Sequence, residues 1–313
     1  MTQDEPSMQS VSSAVIVCSD ERMLGPACCA LLSAWNNLGS VKARLFLLVV
    51  DVDAKGKRDV LEFAARHQIT IEMIDLVPPS LEGHDFGYWS VATIARLYMD
   101  TLVPETISRL VYLDADTLAV ASIVPLFSLD MGGHPVGAVD DCLMAFPDKM
   151  SERKSRIGMA AEARYFNAGV LLFDWSVLPE TNVLKEAREI FLKDPERYPF
   201  KDQDVLNVVL AENWLALDPR WNTQTGLVPI VAKPAIQHFT GSRKPWQSSW
   251  KWMHRDARRF YRQVLLTSAW SDVCSSEPMF VRIGKMLSYF GSMVGRARKT
   301  EVVRSYFRSI RGA

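Results

Sequence analysis

Residues 109–117 read Arg109-Leu-Val-Tyr-Leu-Asp114-Ala115-Asp116-Thr117. The run Leu-Val-Tyr-Leu favours extended, buried chain, and it delivers two carboxylates at positions i and i+2. In an extended chain such positions face the same side. Two carboxylates aimed together at a strand's end repel unless a divalent cation lies between or beside them. Hard Mg²⁺ or Mn²⁺ takes oxygen ligands of this kind and commonly shares them with substrate phosphates. The same spacing also occurs as two solvated acids ending a strand, so the pair alone leaves both readings open.

Outward from this stretch, short β-type runs alternate with helical patterns. The runs Ala14–Val17, Leu45–Val50, Ile69–Leu76, Arg109–Leu113, Pro135–Val139 and Gly169–Phe173 predict strands. Gly25–Leu38, Ala54–His67 and Val91–Leu102 predict helices between them. This alternation implies βαβ units and an α/β fold, a largely parallel central sheet flanked by helices. Ligands of such sheets bind beyond the carboxyl ends of the strands, where the Asp114–Asp116 pair falls.

Lys plus Arg and Asp plus Glu both number 36, which argues against a globally basic nucleic-acid binder. The longest purely apolar run, Leu45–Val50, is far shorter than the roughly 18 residues of a membrane span. The polar start MTQDEPSMQS has no basic region leading into an apolar stretch, so no signal peptide is expected and the chain reads as cytoplasmic. Five cysteines without metal-type spacing read as reduced thiols.

The chain divides into a short N-terminal tail (1–12), a catalytic domain (13–275) and a C-terminal segment (276–313). That last segment carries Arg282, Lys285, Arg296, Arg298, Lys299, Arg304, Arg308 and Arg311, while Met279, Ile283, Leu287, Phe290 and Val294 recur at helical spacing. A basic amphipathic helix of this kind can lie on an anionic membrane surface. It can equally pack on the domain with a solvated charged face.

Asp-x-Asp-x-Thr is also the first motif of haloacid-dehalogenase-type phosphohydrolases. That motif normally lies near the N-terminus, whereas about a hundred residues precede it here, and Asp140 and Asp141 follow too closely to be the downstream acidic pair. Other motifs favour nucleotide-sugar transfer. They are Val15-Ile-Val-Cys-Ser-Asp20, Thr93-Ile-Ala-Arg96-Leu, Tyr112-Leu-Asp114-Ala-Asp116, Phe166-Asn167-Ala168-Gly169, Asp202-Gln203-Asp204-Val-Leu-Asn207 and His238-Phe-Thr-Gly241-Ser-Arg-Lys244-Pro-Trp246. In this order they resemble glycosyltransferase family 8, over about Val15 to Trp246.

The resemblance implies a Rossmann-like nucleotide-binding fold of the GT-A type. It also implies transfer of galactose or glucose from a UDP-sugar to an acceptor hydroxyl on a lipopolysaccharide or other glycan, with retention. Asp114, Asp116 and His238 become the ligands of Mn²⁺, with Mg²⁺ as substitute. Asp20, Arg96, Ala115, Asn167, Ala168, Gly241 and Lys244 become donor contacts, and Asp202 and Gln203 the residues beneath the reacting sugar. Since Gln203 carries a neutral amide, front-face attack is favoured over a covalent intermediate. The first motif departs from the family pattern, because Glu21 and Arg22 follow Asp20. A non-catalytic nucleotide-sugar-binding scaffold at the membrane is the alternative that this departure keeps open. Trp246, Trp250, Trp252, Phe86, Tyr88 and Trp89 can stack on sugars, although large aromatics more often belong to the core.

Overall fold

The computed structural model describes residues 12–77, 91–211, 213–241, 244–247, 254–274 and 293–310. Ten strands are present among them: β1 (Ser13–Ser19), β2 (Ala43–Val50), β3 (Glu72–Leu76), β4 (Arg109–Leu113), β5 (Thr117–Ala119), β6 (Val136–Asp140), β7 (Phe166–Asp174), β8 (Leu215–Ala216), β9 (Thr223–Gln224) and β10 (Ile236–His238). Seven form one sheet in the order β3-β2-β1-β4-β7-β6-β8. Its pairs are parallel except for those of β7, which runs against both β4 and β6.

The strand sequences explain the layering. β1 is buried along its whole length, as expected of a strand covered on both faces. Val15 and Val17 face one hydrophobic cluster with the helix Leu24–Trp35, while Ala14 and Ile16 face a second with the helices Val183–Lys193 and Lys201–Leu210. The helix Ala54–His67 forms as expected, with Asp53 capping Gly56 N–H at 2.7 Å. Its C-terminus shortens the following strand: Gln68 turns left-handed and Ile69 N–H bonds Ala64 O at 3.0 Å, so β3 starts at Glu72 rather than Ile69. The segment expected as a helix over Val91–Leu102 winds as the tighter 3₁₀ form over Val91–Thr101.

The reversed β7 decides where the site forms. β1, β4 and β6 end at the same edge, followed by Asp20, Asp114 and Asp141. Because β7 runs the other way, its first residues, Phe166-Asn167-Ala168-Gly169, arrive at that edge too. The β6–β7 pairing is irregular there, with Ala138 opposite Leu171 but Val139 opposite Asn167. That irregularity frees backbone groups of Ala168 for side chains of the site.

The expected N-terminal tail lies outside the described residues apart from Ser12, as do Met279, Ile283, Leu287 and Phe290 of the expected amphipathic face. The described end of the C-terminal segment is a helix, Met293–Ser309, whose Val303 and Phe307 are buried in the first hydrophobic cluster. All five cysteines are free thiols, and all but Cys142 are buried.

Candidate active site

The acidic pair is presented by a turn, not by continued strand. β4 stops at Leu113, Thr117 N–H closes onto Asp114 O at 3.0 Å, and the chain reverses into β5. The expected extended geometry is therefore replaced by a turn that converges the same two carboxylates. β5 pairs antiparallel with β10, placing His238 opposite Thr117, and Phe239 N–H bonds Asp116 O at 3.0 Å. This small second sheet carries a histidine more than a hundred residues downstream to the acids.

Each carboxylate has one oxygen tethered and one turned toward the imidazole. Asp114 Oδ1 accepts from Arg96 Nη2 at 2.6 Å and from Tyr112 OH at 2.8 Å, while its Oδ2 lies 3.6 Å from His238 Nε2. Asp116 Oδ2 accepts from Lys244 Nζ, while its Oδ1 lies 3.3 Å from His238 Nε2. Burial opposes ionisation of Asp116, but His238 and Lys244 outweigh it and hold the carboxyl well below the usual carboxylate range.

Ligand atoms of Asp114, Asp116 and His238 all lie within 4.8 Å of one another, which is what a single divalent cation requires. Two carboxylates and a neutral imidazole suit Mn²⁺, with Mg²⁺ less suited to the nitrogen. The imidazole is prepared for this. Its Nδ1 lies 3.0 Å from Asn222 Oδ1, an acceptor, which makes Nδ1 the donor and turns Nε2 toward the acids.

Asn222, buried completely, continues the chain of contacts. Its Nδ2 donates to Asn167 Oδ1 at 2.8 Å, and Asn167 Nδ2 donates to both Gln203 Oε1 and Asp141 Oδ2 at 3.2 Å. Gln203 is held at both ends. Its oxygen also accepts from Ala168 N–H at 3.0 Å, and its Nε2 donates to Asp141 Oδ2 at 3.1 Å and to Tyr165 OH at 3.2 Å. The acid cluster and the Gln203 cluster are thus joined by an unbroken hydrogen-bonded path.

Arg96 ties the same two regions from below. It donates to Ala168 O, and its Nε lies 2.8 Å from Asp202 Oδ2. Burial pushes the Asp202 carboxyl up to about 7, with Arg96 pulling down and Asp114 adding to the rise. Neither Asp202 nor Asp204 is the N-cap of the helix Lys201–Leu210; that position is Phe200. Asp204 instead reaches back to Phe200 N–H at 2.7 Å and takes the Tyr165 hydroxyl at 2.5 Å.

The remaining expected residues take distinct places. Ala115 lies almost buried between the two acids. Gly241 holds a left-handed φ of +83°, and a Cβ there would meet nothing within 4 Å, so its backbone is open to a ligand. The missing Cβ of Gly169 makes room for the His238 ring. Asp20 stands apart from this network, capping Met23 N–H at 3.2 Å and pairing with Arg22 at 3.0 Å. Trp246 is a core residue, its ring 4.8 Å from that of Tyr261. Trp250, Trp252, Phe86, Tyr88 and Trp89 lie outside the described residues. Sequence reasoning missed Asn222, Asp141, Tyr112 and Tyr165 as parts of the site. The Asp140-Asp141 pair at a strand's end was the available signal for one of them.

Comparison with known proteins agrees with this geometry. Residues 14–250 match the family described as glycosyl transferase family 8. General stress protein A of Bacillus subtilis is 26% identical over 77% of this chain and 90% of its own length. Lipopolysaccharide 1,2-glucosyltransferase of Escherichia coli is 29% identical over 72% of this chain and 70% of its own length. The structure of the galactosyltransferase LgtC with donor and acceptor sugar analogs superposes with a TM-score of 0.70 at 23% identity, over 79% of this chain and 95% of that one. That likeness places the fold among the GT-A glycosyltransferases. The chain belongs to glycosyltransferase family 8, and it is a glycosyltransferase.

Proposed function

We propose that the enzyme transfers a hexose, galactose or glucose, from a UDP-sugar to a hydroxyl of a lipopolysaccharide-type glycan, with retention at the anomeric carbon and with Mn²⁺ as cofactor. The observation that carries this reading is the placement of two clusters side by side. Asp114, Asp116 and His238 aim three ligand atoms at one point, and Gln203 and Asp141 lie one hydrogen-bonded relay away. Lipopolysaccharide glucosyl- and galactosyltransferases among the relatives support the acceptor class.

Asp114, Asp116 and His238 would hold a divalent cation, which when bound would supply positive charge to favour departure of the diphosphate. Lys244, fixed by Asp116 and by Phe239 O at 2.8 Å, brings a second positive charge to the same side. Gly241 opens the backbone beside it. Asp20 and Arg22, at the end of β1, are the side chains proposed to meet the base.

Gln203 acts by position rather than by bonding. Its amide oxygen already accepts two N–H groups, from Ala168 and Asn167, so both lone pairs are in use. An amide oxygen so occupied is a poor nucleophile. This favours front-face attack, with the acceptor hydroxyl entering on the leaving group's side and the departing phosphate taking its proton.

Peripheral contact with an anionic membrane through 276–313 is part of the proposal. Exposed Arg298, Lys299 and Arg308 on the described helix support it, since Val303 and Phe307 occupy the packed side.

The test is UDP release from a panel of UDP-sugars with Mn²⁺, Mg²⁺ or EDTA. Release from one donor that requires Mn²⁺ is expected. If no UDP-sugar turned over and none raised the melting temperature with Mn²⁺ present, the donor assignment would be wrong and the scaffold reading would replace it.

A further inference from the structure

The C-terminal helix Met293–Ser309 lies against the short 3₁₀ turn Cys142–Ala145. Val303 and Phe307, each 4% exposed, sit one helical turn apart and fix this face. Between them, Tyr306 reaches a buried carboxylate behind the active site: its hydroxyl donates to Asp140 Oδ1 at 3.2 Å. Asp140 is 2% exposed and is also gripped by Arg164, through Nε at 3.0 Å and through Nη2. The Arg164 guanidinium in turn stacks over Trp214 at 4.8 Å.

Asp140 is the residue before Asp141, and the backbone around Asp141 is clamped on both sides. Gln224 Nε2 donates to Asp140 O, and Gln224 Oε1 accepts from Cys142 N–H, both at 2.9 Å. Asp141 caps the turn through Leu143 N–H at 2.9 Å and offers Oδ2 to Gln203 and Asn167. With its neighbours fixed by Tyr306, Arg164 and Gln224, Asp141 has one position available.

We propose that the C-terminal helix is a strut of the Asp141–Gln203 half of the active site, with Tyr306 a positioning residue that acts through Asp140 on Asp141. The segment expected from sequence to serve as a surface anchor thereby also tunes the chemistry. The kinetic side of this inference rests on the proposed transferase reaction; the structural side does not. The metal-site residues Asp114, Asp116 and His238 are not touched by the strut. Loosening the strut therefore separates turnover from metal binding.

Tyr306→Phe in the full chain removes the hydroxyl and keeps the ring between Val303 and Phe307. Two readouts decide the matter. Cys142, half-buried in the turn that follows Asp141, is the cysteine not fully buried, so its rate of modification by a disulfide thiol reagent, located by mass spectrometry, reports opening of the turn. The UDP-sugar turnover of the same variant reports the chemistry.

We expect Cys142 to be modified several times faster. We expect kcat to fall about tenfold, as sub-ångström to ångström misplacement of a positioning group predicts, with Mn²⁺ affinity within twofold of the wild type. An unchanged Cys142 rate overturns the strut whatever the activity. Faster modification with unchanged kcat overturns the positioning role, as does a parallel loss of kcat, Mn²⁺ affinity and melting temperature. If the wild type releases no UDP from any donor, the proposed function fails, and the Cys142 rates still decide the strut.

Discussion

The His238 imidazole lies on the backbone of Gly169: a Cβ built there would stand 2.0 Å from Cε1 and 2.5 Å from Nδ1. The ring cannot yield, because Nδ1 is held by Asn222 at 3.0 Å and the residue is fixed in β10 against β5. Glycine in the middle of a buried strand weakens packing, and here the space it leaves is filled by the side chain proposed as the third metal ligand.

Gly169→Ala is therefore expected to push His238 off the acid pair. Mn²⁺ affinity, read by the loss of the free-ion electron paramagnetic resonance signal, should fall about 10- to 100-fold, the range seen when a ligand's support is disturbed. Turnover with the UDP-sugar should fall with it. Retention of wild-type Mn²⁺ affinity in this variant would remove His238 from the ligand set.

Much of this site was legible in the sequence, and the limits have physical causes. Asp114 and Asp116 end an apolar strand, and Asn167-Ala-Gly169 opens another, so local pattern placed both at a sheet edge. Their partnership depends on β7 running against its neighbours, which periodicity does not encode. Asn222 carried no signal: it follows a tryptophan in a short 3₁₀ turn and becomes functional only because β9 and β10 fold it beneath His238. Asp141 was visible as an acid but was weighed only as one of a downstream metal-binding pair. The need for glycine at 169 was not legible for the same cause, since the neighbour that excludes a side chain comes from 69 residues away in the chain.

Lys244 donates to Asp116 Oδ2 and to Phe239 O. Its charge should matter most as the diphosphate departs. Lys244→Ala is expected to lower kcat about 100-fold, the usual loss for one preorganised donor at a developing charge. Mn²⁺ binding should survive, because the three ligand atoms remain. Steady-state UDP release alongside Mn²⁺ titration checks this. A variant that loses Mn²⁺ and turnover together would make Lys244 a support for Asp116 rather than for the leaving group.

Asp202 sets the pH behaviour of the metal-free protein. It is 3% exposed, and burial pushes its carboxyl up to about 7 from an ordinary value of 3.8, despite Arg96 at 2.8 Å. Between those values the folded chain keeps a proton that the unfolded chain releases, so stability falls as the pH rises. The contribution is complete below pH 3.8 and is lost through about 7. Asn has the same shape and does not titrate. In EDTA, the melting temperature of wild type minus that of Asp202→Asn should therefore be most positive at and below about pH 4, fall by several degrees up to about pH 7 and level off above it. A difference that stayed flat would mean that the Arg96 ion pair outweighs burial and that Asp202 is ionised throughout. Because the Asp114 charge is one cause of the raised value, a cation on Asp114 should cancel part of it. Repeating the series with Mn²⁺ should accordingly shift the drop to lower pH, linking the titration of Asp202 to the occupancy of the site beside it.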